Sequence, residues 1–369
     1  MAKHAVLSLG GNRWRSLPCK KSELRLDFIL ACGQSFRWRE TAKDHWTGVM
    51  GGRVWTLTQT DDTLWYHVYN NQDREKEGND RKRRASVSLQ EDKSGKRSKG
   101  TVKSEEEPVP VTEQDTEVEE NMLRNYFQLN VELRGMYSAW GKADPHFKCI
   151  AEIFRGVRML RQDPTECLFS IICTTNNNIS RIQGMVEKMC QTLGTELCQL
   201  DETTYHDFPQ LSAIADSTVE ECLKDLGFGY RAKFVQRSAK QILDTHGLQW
   251  LEGLRNVPYP QAHDALLTLP GVGNKVADCV CLMSLDKAEA VPIDTHMWQI
   301  AKRDYNYAAG RNPKTLTDKL YQDLGDFFRQ LWGLNAGWAQ SVLFCADLKQ
   351  FQYLKQMPHV KQLKEEEEK

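Results

Sequence analysis

Lys275 sits directly behind the segment Leu269-Pro270-Gly271-Val272-Gly273, and nineteen residues further on Val291-Pro292-Ile293-Asp294 ends in a carboxylate. Apolar spacing on both sides of the first segment reads as helix, turn, helix. Proline cannot continue the first helix, and two glycines bracketing one residue allow a tight hairpin whose backbone N–H groups point outward. Such a turn before a helix N-terminus binds phosphate, because unpaired amides and the positive end of the dipole face the same point. With no side chains above Gly271 and Gly273, a nucleic-acid backbone can come close.

A lysine in the first turn of the second helix faces that same positive end, which favours its neutral amine over the ammonium. The distinction decides whether it can react. At its ordinary pKa of about 10.4, only about one lysine in 2,500 is neutral at pH 7, so covalent catalysis by an amine requires such help. Asp294, before the helix that opens at Thr295, reads as an N-cap, and a capping carboxylate is rigidly held and charged, as a group facing a developing cation must be. Taken alone, each piece has a plainer reading: a structural αα-turn, a surface lysine, a simple cap.

The elements that must position these groups follow from periodicity. Between Glu23 and Tyr69, alternation of apolar and polar residues predicts antiparallel strands at Ser35 to Trp38, His45 to Met50, Arg53 to Thr58 and Leu64 to Tyr69, punctuated by Gly51-Gly52 and Asp61-Asp62. Residues 71–120 lose all periodicity and read as a disordered charged insertion. After Asn121 the spacing turns helical, with helices predicted through Glu166 to Ile172, Ile179 to Leu193, Ala232 to Thr245 and His263 to Leu269, so the second half is expected to be all-α. The fold class is therefore α+β, mainly α. The expected division is a sheet unit at 1–70, the insertion at 71–120, helical subdomains at 121–262 and 263–355 with the site between them, and a flexible tail at 356–369.

Composition excludes other classes. No run approaches the roughly 18 apolar residues of a membrane helix, and the N-terminus lacks a secretory apolar run, so the expectation is an intracellular protein without membrane contact. Eleven cysteines spread from Cys19 to Cys345 without a C-x-x-C pair read as reduced, mostly buried thiols, and they offer neither a zinc ribbon nor an iron–sulfur cluster. The net charge of −1 hides a division: residues 73–120 hold fourteen acidic and eleven basic side chains, leaving +2 on the remainder. Any affinity for nucleic acid must therefore come from locally placed groups. Arg81-Lys82-Arg83-Arg84 and Lys96-Arg97-Ser98-Lys99 fit a bipartite nuclear-import signal, and the first 22 residues, which lack an acidic side chain, also fit a mitochondrial transit segment.

Leu269 to Lys275 followed by Val291 to Asp294 resembles the helix-hairpin-helix, Gly/Pro-rich loop and aspartate signature of a DNA glycosylase superfamily. The likeness to eukaryotic 8-oxoguanine DNA glycosylases extends over almost the whole chain: Cys32 to Trp38, Asn176 to Arg181, Gly229-Tyr230-Arg231, Lys275 to Met283 and Gly337-Trp338-Ala339-Gln340. The insertion at 71–120 is longer and more charged than in that family.

The resemblance implies base-excision repair of double-stranded DNA containing oxidised guanine. Lys275 would attack C1′, form a Schiff base and nick the strand, with Asp294 stabilising charge on the sugar. It implies that the flipped base lies between Cys279 and Phe344, that Gln340, Pro292 and Asp294 touch its edges, and that the carbonyl of Gly33 reads the hydrogen on N7. It assigns the orphaned cytosine to Asn176, Arg181 and Arg231, the wedge to Tyr230, and phosphate contacts to Gly271, Gly273 and His296. It implies a monomer that requires no cofactor, with a monovalent or divalent cation held by hairpin carbonyls.

Overall fold

The computed structural model describes residues 2–9, 13–69, 113–307 and 316–356. The import clusters and most of the insertion lie outside these residues, as does the tail beyond Gln356.

The N-terminal unit is a five-stranded antiparallel sheet of β1 (Arg15–Pro18), β2 (Trp38–Ala42), β3 (His45–Met50), β4 (Arg53–Gln59) and β5 (Thr63–Tyr69), with α1 (Leu26–Ile29) between the first two. Its order is β1-β5-β4-β3-β2. Gly51 and Gly52, both at positive φ (+58° and +69°), make the two-residue turn that pairs Met50 with Arg53. Two expectations need correction. Ser35 to Arg37 is not strand: β2 opens only at Trp38, because Gln34 to Trp38 are all buried instead of alternating, and the Arg37 guanidinium is spent on Glu166 (3.5 Å) and the His206 carbonyl. The four-residue β1, which ends on a proline, was not anticipated.

The helical part comprises α2 (Glu113–Tyr126), α3 (Leu133–Ala143), α4 (Pro145–Ile153), α5 (Pro164–Ile172), α6 (Ile179–Leu193), α7 (Leu211–Ile214), α8 (Val219–Asp225), α9 (Arg231–Thr245), α10 (Trp250–Gly253), α11 (Tyr259–Leu267), α12 (Asn274–Ser284), α13 (Thr295–Asp304), α14 (Asp318–Trp332) and α15 (Ala336–Asp347). Two boundaries shift. Helix α2 begins at Glu113, inside the span read as insertion, because its fully buried Glu119 pairs with Arg15 and Arg53 of the sheet. Helix α11 begins at Tyr259, so a division at residue 263 would cut it.

The second half is also not all-α. A hairpin of β6 (Glu196–Leu200) and β7 (Thr203–His206) follows α6, and its Leu200 and Tyr205 cover Val49 and Val54 on the outer face of the sheet. That second layer explains why the middle of β4 is buried on both faces.

On the inner face, Trp38, Trp55, Leu57 and Tyr66 pack against Leu123, Tyr126 and Phe127, and Trp38 Nε1 donates to the Tyr126 hydroxyl at 3.0 Å. One apolar core then continues through α5, α12 and α15 to Phe351, so the helical parts share a core. None of the eleven cysteines is in a disulfide, and eight of them are buried. Among the described residues no helix is long and apolar enough to cross a membrane.

Arg158 joins the halves. Buried to 1% exposure, its guanidinium donates to the carbonyls of Glu23, Phe127 (2.9 Å), Gln128 and Val131 (3.0 Å) and to the Glu23 carboxylate (3.2 Å). Removing it takes a donor from four carbonyls at once, and of these the Gln128 carbonyl keeps the Val131 amide at 3.0 Å. We expect Arg158→Met to cost about 2–4 kcal/mol, read as a lowered thermal midpoint. An unchanged midpoint would show that those carbonyls find other partners.

Candidate active site

Helix α11 ends at Leu267 and α12 opens at Asn274, with the predicted hairpin between them. Gly271 adopts φ +77°, and a Cβ there would come within 2.4 Å of the Phe234 ring. Gly273 has open space above it. The two glycines thus serve different ends: the first lets the hairpin lie on α9, and the second leaves its tip bare. Ser238 of α9 donates to the Pro270 carbonyl (2.8 Å) and Gln241 to that of Thr268 (3.1 Å), so α9 fixes the hairpin.

Lys275 occupies the second position of α12 and lines a cavity with Gly33, Cys279, Pro292, Asp294, Gln340 and Phe344. With Ile171 and Thr174 also on its wall, residues from five separate segments, brought together only by folding, meet in one site. The amine does not point into bulk solvent: Nζ donates to Thr174 Oγ1 at 3.0 Å. Asp294 caps α13 by accepting from Met297 N at 2.9 Å. Among the described residues no ion pair joins Lys275 to Asp294, although both line the cavity.

Cys279, 3% exposed, lies one turn from Lys275 on the same face, and burial pushes its thiol up, against the opposing effect of the neighbouring Lys275 charge. It therefore presents a neutral, polarisable wall. Phe344 is half-buried, with the His296 ring edge-on at 5.6 Å. His296 itself bonds Asp347 (3.1 Å), which also receives Arg303 (3.0 Å). The cavity measures about 60 Å³, well short of the few hundred Å³ of a typical ligand pocket. A planar base enters only if a wall moves, and Phe344, half-buried where Cys279 and Pro292 are buried, is one wall able to do so.

Gly33 is held more firmly than its sequence suggests. At φ +84°, it precedes Gln34, whose side chain donates to the Arg158 carbonyl (3.0 Å) and accepts from Leu160 N (2.9 Å). Gln162 Nε2 in turn donates to the Gln34 carbonyl at 2.8 Å. Neither glutamine nor Thr174 was picked out from sequence. Their partners lie more than 100 residues away, so no local spacing could reveal them.

A second cluster adjoins the cavity. From Thr174 the chain runs through Thr175 and Asn176, the latter at φ +49°, to Asn178, which caps α6 at Arg181 N (3.0 Å). Arg231, 4% exposed, donates to the carbonyls of Thr175 and Asn176 (3.0 Å) and of Phe228 (3.4 Å). Tyr230, 53% exposed, reaches the Thr175 carbonyl at 3.3 Å, and Arg181 approaches that of Gly227 at 3.5 Å. The Gly-Tyr-Arg segment leads into α9, which opens at Arg231. Asn176, Arg181, Tyr230 and Arg231 thus gather around the loop that follows Thr174, with Arg231 largely engaged in holding it.

Comparison with known proteins bears on this arrangement. Residues 16–168 match the family model for the 8-oxoguanine DNA glycosylase N-terminal domain, and residues 169–324 match that for HhH-GPD superfamily base excision DNA repair proteins. The N-glycosylase/DNA lyase OGG1 of Arabidopsis thaliana is 35% identical over 354 residues, covering 94% of this chain and 83% of its own length. The N-glycosylase/DNA lyase of Saccharomyces cerevisiae is 35% identical over 249 residues, covering 61% and 66% respectively. The solved apo-form of Clostridium acetobutylicum 8-oxoguanine glycosylase/lyase shares the fold, with a TM-score of 0.69 at 23% identity over 91% of this chain and 96% of that one. Two adjoining family models and one-third identity along nearly the full length decide the family: the chain belongs to the 8-oxoguanine DNA glycosylase family of helix-hairpin-helix repair proteins.

Proposed function

We propose that this DNA glycosylase with lyase activity excises 8-oxoguanine paired with cytosine from duplex DNA, using Lys275 as nucleophile. The observation that carries the reading is the amine of Lys275 on the wall of a cavity that also holds Asp294, immediately behind a hairpin bare enough to accept phosphate.

In the proposed sequence the hairpin amides and the α12 dipole bind the strand, and the damaged nucleotide swings into the cavity past Phe344. The Nζ lone pair attacks C1′ while the bond from C1′ to N9 breaks, and the departing base takes that electron pair and a proton. Asp294 faces the positive charge that builds on the sugar. Ring opening gives a Schiff base between Nζ and C1′. Loss of a proton from C2′ then expels the 3′ phosphate and cuts the strand. Thr174, which accepts from Nζ, holds the amine toward the cavity without neutralising it.

Selectivity rests on Gly33. Guanine presents a bare acceptor at N7, whereas the oxidised base carries hydrogen there, so a fixed carbonyl accepts from one and repels the other. The bonds around Gln34 supply the rigidity that such a contact needs. Asn176, Arg181 and Arg231 would read the orphaned cytosine and Tyr230 would fill the gap. Arg231 has five N–H donors, and the four bonds to carbonyls leave it one to offer. We also assign duplex DNA as the partner, the nucleus as the working site, and a phosphate contact to His296. The hairpin carbonyls of Thr268, Leu269 and Pro270 each accept one bond and keep a second lone pair, a donor set compatible with a loosely held cation.

With an 8-oxoguanine:cytosine duplex, borohydride should trap a covalent adduct in the native protein, and Lys275→Gln should abolish it and slow excision by about 10³-fold or more. Trapping that survives the substitution would remove Lys275 as nucleophile. Asp294→Asn keeps the capping oxygen but loses the charge, so excision should fall by about 10²- to 10³-fold with an unchanged thermal midpoint. Native excision rates in that variant would reduce Asp294 to a cap.

A further inference from the structure

Asp278 is a carboxylate at 1% exposure, on the turn of α12 between Lys275 and Cys279 but outside the cavity. A buried charge must be paired or hydrogen-bonded, and here two phenols do it. Tyr259 of α11 donates to Oδ1 at 2.6 Å, Tyr321 of α14 donates to Oδ2, and His263 Nε2 lies 3.7 Å from Oδ1. Burial pushes the carboxyl up, while the two hydroxyls pull it back toward the ionised form.

The Tyr321 hydroxyl has one proton, and Asp278 takes it. Its oxygen is left as an acceptor and receives the Ile293 amide at 3.3 Å. Ile293 is itself buried, between Pro292 on the cavity wall and Asp294. A phenol alone could turn its proton toward that amide; the carboxylate fixes its polarity, so the lone pair faces the N–H.

We infer that Tyr321, oriented by Asp278, is a positioning residue that ties the Pro292–Asp294 segment to the helix carrying Lys275. This rests on the reading that Asp294 stabilises charge as the base departs. The network links α11, α12, α14 and the Asp294 segment, so the two groups that act on one sugar share a common strut. Tyr259 bonds the same carboxylate, while the Ile293 amide bonds Tyr321, which makes Tyr259 a matched control.

The experiment measures single-turnover excision from an 8-oxoguanine:cytosine duplex alongside borohydride trapping on a preformed abasic duplex, where no base needs to leave. Tyr321→Phe should slow excision about 10-fold while trapping and duplex affinity stay within about twofold of native. Tyr259→Phe should lose similar thermal stability yet keep both rates within about twofold. Asp278→Leu, which removes both acceptor oxygens and frees the phenol proton to turn toward the amide, should slow excision as Tyr321→Phe does and serves if that variant folds poorly. Native excision by Tyr321→Phe, or equal slowing by Tyr259→Phe, would overturn the inference. Asp294→Asn, run in parallel, separates the two failures: if it excises at the native rate, the role of Asp294 falls and the inference with it. If it is slow while Tyr321→Phe is not, only the inference falls.

Discussion

An amine can act as a nucleophile beside a carboxylate only if the two are near one substrate yet apart from each other. A direct ion pair would hold the proton on the nitrogen and cancel the charge that the departing base requires. Here Lys275 bonds a neutral hydroxyl, Asp294 is tied to the amide of Met297, and both line one cavity. Each is fixed through its own helix N-terminus, the lysine in the first turn of α12 and the aspartate capping α13. The rest of the fold can be read as the means of keeping these two helix starts at that spacing.

Several layers contribute. Helix α9 holds the hairpin through Ser238, Gln241 and the ring of Phe234, and its first residues hold the loop that carries Thr174 toward Lys275. The sheet unit supplies Gly33 from the opposite side, braced through Gln34 to the chain at Arg158, Leu160 and Gln162. Because one core runs beneath all of these, movement of either half would be felt at the cavity. Phe344, half-buried and lining the cavity, is a wall whose movement would enlarge it.

Sequence disclosed the chemistry more readily than its supports. The hairpin, Lys275 and Asp294 are legible because turn residues, helix starts and caps are local, and the segments that would wall the base cavity could be named by resemblance. Thr174, Gln34 and Tyr321 could not, since each acts on a chain segment far away in sequence and would pass for an ordinary polar or core residue. The hairpin at 196–206 escaped for a related reason: its strands are short, and they exist to cover an outer sheet face whose burial is a tertiary fact. Ser35 to Arg37 misled in the opposite sense, because a buried arginine satisfied by Glu166 and a carbonyl imitates the alternation of a strand.

The central claim is that one particular nitrogen bonds to the sugar. Native protein reduced with borohydride on 8-oxoguanine-containing duplex, then digested and sequenced by mass spectrometry, identifies the modified residue directly. The account predicts the deoxyribose remnant on Lys275, at the start of α12. The remnant on another lysine or on the N-terminal amine, with Lys275 unmodified, would contradict it.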